Sequence, residues 1–196
     1  MPRYDILTTA LGLHVRRTAL TLVARRNESI PPMETLTPGP EQARAFRSAL
    51  GHYATGVTIV TTNGPDGPVG MTANSFTALS LDPPLVLWCP AKRSSRFSIL
   101  AEAQFFSIHV LSADQLELCL RIARSGSNFD GIDLSSSPEG APVLPGILAR
   151  FDCEAYGKHE GGDHAIIVGR VLRASYRPGA PLIFWGGLYG DFLKHE

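Results

Sequence analysis

The stretch TGVTIVTTNGPDGPVGMTANSF, residues 55–76, decides the fold. Val57 to Thr62 is β-branched throughout, the residue type that fits a pleated, half-buried strand. Asn63-Gly64-Pro65-Asp66-Gly67-Pro68 is turn chemistry, and Val69 to Phe76 resumes an extended pattern. The spacing predicts a β-hairpin with a loop longer than two residues. Asp82-Pro83-Pro84 interrupts the chain before Leu85 to Cys89, a short, continuously apolar strand suited to a core.

Upstream, Ala43, Phe46, Ala49, Leu50 and Tyr53 recur at helical spacing, weakened at Gly51 and ended at Gly56. Downstream, Ser94 to Ala101 reads as a short helix and Phe105 to Leu111 as a strand. Ser112 and Gln115 form a capping box for a helix through about Ala123. Residues 125–146, rich in Ser, Gly, Pro and Asp, make a loop too long for a passive connector and suited to covering a site. Further strands are expected at Ile147 to Tyr156, at Ala165 to Ser175 after Gly161-Gly162, and at Leu182 to Trp185. About six strands joined by short turns cannot be parallel neighbours. The predicted fold is therefore mainly β, an antiparallel barrel with helices at its ends.

Composition narrows the function. The chain has 196 residues, 44% hydrophobic and 18% charged, with zero formal net charge. That balance suits one core-bearing domain and offers no basic stripe for nucleic acid or a membrane surface. No apolar run reaches the roughly 18 residues of a membrane-spanning helix. Cys89, Cys119 and Cys153 are too few for a disulfide framework, which points to a reducing compartment, the cytoplasm. The first 40 residues carry five Arg against three acids and end in a Pro-rich run. Residues 1–40 therefore read as an extension, disordered or loosely held, and 41–196 as the folded domain. Met33 is an alternative start. The pairs Arg16-Arg17 and Arg25-Arg26 lack the apolar core and cleavage site of an export signal.

No G-x-S-x-G elbow, Walker loop or dinucleotide-binding glycine fingerprint opens a helix here. His159, Glu160, Asp163 and His164 surround a glycine turn, where polar residues collect for structural reasons, and the spacing is weak for a metal; none is expected. His109 sits on an apolar strand as a satisfied core histidine would. The hydroxyl-rich run Thr72, Asn74 and Ser75 offers short donors and acceptors, and Ala73 leaves room for a flat ring. Ser94 and Ser95 open a helix whose free amides suit an anion, with Lys92 adding a cation. Together they describe a ring end and a phosphate end, or equally a capped helix beside an ordinary strand.

The motifs TGVTIVT at 55–61, G-x-TANSF-x-x-LS-x-DPPLV at 70–86, CP-x-K-x-S at 89–94 and GDH at 162–164 stand in this order. As a set they resemble the flavin reductase family with an FMN-binding split barrel, the reductase components of two-component flavin-dependent monooxygenases. The resemblance runs from Phe46 to about Tyr189. It implies an NAD(P)H:flavin oxidoreductase passing hydride from NADH or NADPH to FMN or FAD and supplying reduced flavin to a partner monooxygenase. It also implies a homodimer, because a split barrel of this length exposes apolar strands and members of the family are dimers. It places the flavin on Met71, Thr72, Ala73, Asn74, Ser75, Cys89, Pro90, Ala91, Lys92, Ser94 and Ser95. Phe129 matches the family's phenylalanine, but Asn128 replaces the basic residue before it, and Arg121 or Arg124 is expected to supply that charge. His164 falls on the nicotinamide side as the catalytic-site histidine, with Tyr189 nearby. The rivals are a pyridoxamine-phosphate-oxidase-like FMN enzyme, which would want more phosphate-clamping Arg and Lys, and a flavin-binding barrel without turnover.

Overall fold

A computed structural model describes residues 30–192. Expectations that fall on residues 1–29 lie outside the described residues. The chain divides into two units, Met1–Gly39 and Pro40–Glu196. Residues 30–38 of the first have no regular structure, and the described helices and strands belong to the second. There, a 3-10 turn (Pro40–Gln42) leads into α1 (Ala43–Leu50). Strands β1 (Thr55–Gly56), β2 (Thr58–Gly64), β3 (Gly67–Ala73), β4 (Thr77–Leu81) and β5 (Pro84–Trp88) follow, then α2 (Phe97–Ala101) and β6 (Phe105–Val110). A 3-10 turn (Ala113–Gln115) opens α3 (Leu116–Arg124), and both bonds of the Ser112/Gln115 capping box are present. Short β7 (Ser135–Ser136) and β8 (Pro142–Val143) precede β9 (Ala149–Gly161), β10 (His164–Tyr176), β11 (Leu182–Trp185) and β12 (Leu188–Asp191).

Seven strands form one antiparallel sheet in the order β3-β2-β6-β9-β10-β5-β4, and a second sheet runs β1-β11-β12. A single buried cluster unites Met71 near one edge of the large sheet with Val86 and Trp88 near the other, through Phe106, Ile108, Cys153 and Ile167. The sheet is therefore curled around its own core. This is the expected mainly β, antiparallel architecture, compatible with a split barrel. Because side chains alternate along a strand, Ile59 points the opposite way from Val60, into a second cluster with Cys119 and Ile122 of α3. Thr58 to Thr62 is thus buried on both faces. Its hydroxyls reach carbonyls: Thr58 to Ala73 at 2.7 Å and Thr62 to Phe105 at 2.8 Å.

The details differ from expectation in several places. Among the described residues twelve strands stand where about six are predicted, the additions including β4 and β12. The first hairpin closes on Pro65-Asp66 alone, with Gly64 opposite Gly67, because both strands run on into what reads as loop. β3 stops at Ala73, short of Phe76. The 125–146 loop spends its second half on the outer face of β2 and β6. Thr61 donates to Pro142 O, Asn63 to Gly140 O at 2.8 Å, and the Leu144 amide to His109 Nε2 at 3.3 Å. His109 Nδ1 donates to Ile59 O at 3.0 Å, so both ring nitrogens of this buried histidine are satisfied.

Candidate functional site

Strand β3 is the backbone of the site. Thr72 Oγ1 donates to Cys119 O at 3.1 Å, which seats α3 across the strand. At its far end Thr72, Ala73 and Asn74 line a cavity of about 210 Å³ with Val57, Ala123, Phe184 and Tyr189. Phe184 and Tyr189 lie opposite each other on β11 and β12, ring centroids 5.1 Å apart at 57°. The turn between these strands is Gly186-Gly187, with φ of 59° and 85°, the positive values that a two-residue hairpin turn of this hand requires. Burial, then the Cys119 thiol, pushes the Tyr189 phenol up to about 12, so it remains a protonated donor. This cavity pairs a neutral polar floor with an aromatic wall.

A second group gathers at residues 89–95. Ser75 Oγ accepts from the Cys89 amide at 2.9 Å, tying the end of the TANSF run to this turn. The turn is strapped to the β9–β10 hairpin: the Lys92 amide donates to Asp163 O at 2.9 Å and the Ala165 amide to Pro90 O at 3.1 Å. Ala91 bridges to His164. Lys92 Nζ is engaged with Glu160 and, at 2.8 Å, with Gly162 O. His164 is half exposed, its Nδ1 2.8 Å from Asp163 Oδ1, and that contact holds the Asp163 carboxyl below the usual range. The predicted helix at Ser94 begins instead at Phe97 and is five residues long, with Arg96 at its cap. Any anion here therefore meets side chains and turn amides in place of a helix end.

The third group forms an open cleft of about 370 Å³ between the Pro65-Asp66-Gly67 turn, Ser95, Arg96 and Ile99, and the Arg124 to Ser127 segment. Arg121 is occupied by Asp130 O at 2.9 Å and by Glu117. Arg124 makes no hydrogen bond or ion pair among the described residues, so of the two candidate cations it is the one held open to a ligand. Met71 and Phe129 are 7% exposed and belong to the two cores; Phe129 packs beneath Gly70 and lines none of these cavities. Among the described residues no three His, Cys, Asp or Glu side chains converge as a metal would need.

The residues missed by sequence reasoning are Val57, Phe184 and Ala123 in the first cavity and Arg96 in the cleft. Phe184 had a signal: once Tyr189 is singled out, a two-residue Gly-Gly turn puts residue 184 directly opposite. Arg96 had none, since its partners are backbone carbonyls distant in sequence.

Known proteins identify the family to which the chain belongs. The chain is 55% identical over 165 residues to the FMN reductase (NADH) SmoA of Agrobacterium fabrum, covering 84% of this chain and 95% of that protein. It is 45% identical over 148 residues to the flavin-dependent monooxygenase reductase subunit HsaB of Rhodococcus jostii, covering 74% and 76%. The NADH:FAD oxidoreductase SgcE6 of Streptomyces globisporus superposes with a TM-score of 0.78 at 36% identity, over 86% of this chain and 96% of that one. SgcE6 has also been solved with NAD and FAD fragments. The profile of the flavin reductase like domain matches residues 50–192, a span that holds all three groups of site residues, and the chain belongs to that family.

Proposed function

We propose that the protein is an NAD(P)H:flavin oxidoreductase that accepts FMN or FAD as a substrate, reduces it, and releases it to a partner flavin-dependent monooxygenase. Hydride, carrying two electrons, leaves nicotinamide C4 and joins flavin N5, giving oxidised nicotinamide and reduced flavin. The cofactors carry this chemistry, and the protein supplies positioning, with reacting atoms about 3 to 3.5 Å apart.

The observation that carries this reading is the pairing of two cavities along one strand. The Thr72–Asn74 cavity, with its Phe184–Tyr189 wall, suits a flat, hydrogen-bonding ring. The cleft with Ser95, Arg96 and Arg124 suits the phosphate. Between them Ala123 lines the first and Arg124 the second, so one side-chain step along α3 separates ring from anion. His164 and the Ala91 turn form the adjoining nicotinamide side. Neutral hydroxyls and amides outnumber charges, which favours release over permanent retention. Three free thiols support a reducing, cytoplasmic setting. A homodimer is the assembly: edge strand β4 exposes Leu79 and Leu81, and β9 and β10 of the same sheet expose Tyr156 and Leu172.

Anaerobic mixing of the protein with NADH and excess FMN, followed by flavin absorbance, tests the reading. Catalytic bleaching of many equivalents of FMN is expected. Binding without bleaching by either NADH or NADPH would leave a carrier protein and overturn it.

A further inference from the structure

The site's three segments meet at Arg96. Its Nη1 donates to Gly70 O at 3.1 Å and Ile122 O at 2.7 Å, and Nη2 to Ala123 O at 3.3 Å. The fork therefore closes the last turn of α3, where carbonyls lack helical partners, and fixes it to the midpoint of β3. Gly126 lies against the same side chain: a Cβ there would collide with Arg96 Cδ and Gly70 O, while Gly126 O accepts the Gly70 amide at 2.7 Å. On the other side the Arg96 amide donates to Ser94 Oγ at 3.3 Å, within the turn that presents Ser95. Asp66 lines the cleft too, yet among the described residues no ion pair joins it or any carboxylate to Arg96 or Arg124. Carbonyl dipoles hold the guanidinium in place without cancelling its charge.

We propose that Arg96 is a positioning residue for the phosphate-bearing part of the flavin: it locks Ser95 and Arg124 across the cleft from each other and keeps the cleft electropositive. This rests on the flavin reductase reading above. It assigns to Arg96 the selection of flavin nucleotides over the phosphate-free ring system, which the ring cavity alone does not distinguish.

The test compares FMN with riboflavin, whose difference is the phosphate. For wild type, Arg96→Ala and Arg96→Lys, kcat/KM is measured for both flavins with NADH, alongside dissociation constants from fluorescence quenching. Arg96→Ala is expected to lower the FMN-to-riboflavin ratio at least tenfold, the scale of misplacing the Ser95 and Arg124 contacts it holds across the cleft. Arg96→Lys keeps a cation but not the fork, and is expected to lower it at least threefold. A ratio unchanged in both variants, even with a lowered melting temperature, would show a merely structural arginine and overturn the proposal. Full recovery by lysine would reduce the effect to bare charge and overturn the positioning role. Should Arg96→Ala fail to fold, the lysine variant decides. Should wild type bind flavin without turnover, the functional reading fails, and the binding ratios still judge Arg96.

Discussion

Burial and then the Cys119 thiol raise the Tyr189 phenol to about 12, further above the physiological range than an ordinary phenol near 10, so it meets a ligand as a neutral ring with one donor. The same neutrality marks Thr72 and Asn74. Each such contact is replaceable by water, which sets the scale of its removal. Asn74→Ala and Ser95→Ala are each expected to weaken flavin binding by roughly 1 to 2 kcal/mol, about five- to thirtyfold in dissociation constant, measured by fluorescence titration. Unchanged affinity in both would move the site elsewhere. His164 stands apart, reaching from the β9–β10 hairpin beside Ala91 and oriented by Asp163. Its expected role is to orient the nicotinamide dinucleotide, because solvent can protonate reduced flavin after hydride transfer. His164→Ala should raise the KM for NADH and lower kcat by less than about the 100-fold at the low end of general-acid effects. Steady-state kinetics with saturating flavin distinguish these; an unaltered KM would reduce His164 to a turn residue.

The 125–146 segment shows how an irregular element is held. It lies on the curled sheet through polar bonds to Thr61, Asn63 and His109, and Thr61 and His109 are fully buried anchors. Burial lowers His109 to about 4, against an ordinary value near 6.5. Below about pH 6.5 the unfolded chain takes up a proton that the folded chain refuses, so stability is full above 6.5 and falls as pH drops toward 4. The loss is about 3 kcal/mol. His109→Gln, which can keep a donor and an acceptor, is expected to melt lower at pH 7 yet lose less on going to pH 4, as thermal denaturation at the two values would record. An equal loss in both proteins would place the acid sensitivity elsewhere. The hairpin at 55–76, the capping box at Ser112 and the strand at Phe105 are legible in the sequence because each obeys a local rule. β4 is not: Thr77-Ala-Leu-Ser-Leu mixes residue types, and its strand character comes from pairing with β5. The helix expected at Ser94 starts late because Arg96 fixes its own turn to distant carbonyls. In the site, the TANSF run and the Cys89 turn are visible as motifs, whereas the Arg96 bracket exists only once β3 and α3 have met.

Across the whole molecule, zero net charge and an uncovered apolar edge point the same way. Light scattering at micromolar concentration is expected to give twice the 21.1 kDa chain mass. Leu79→Lys with Leu81→Lys should shift it toward monomer by placing charge on the β4 edge. A wild-type monomer would refute the assembly. The Pro-rich boundary near residue 40 carries a second expectation: a chain beginning at Met33 should retain flavin reduction, and loss of solubility or turnover would show that the removed residues support the domain. The order of strands in the large sheet has a further consequence, for synthesis. β3, β2 and β6 form one block and β4 and β5 another, and among the described residues the ladders joining them run through β9 and β10. A ribosome makes both flanking blocks first and the central hairpin last. Until residue 176 has left the exit tunnel the two halves have no strand to share. Once β6 has been made, the nascent chain therefore carries two unfinished sheet edges until β9 and β10 emerge, the period in which a chaperone's grip on exposed strands matters most.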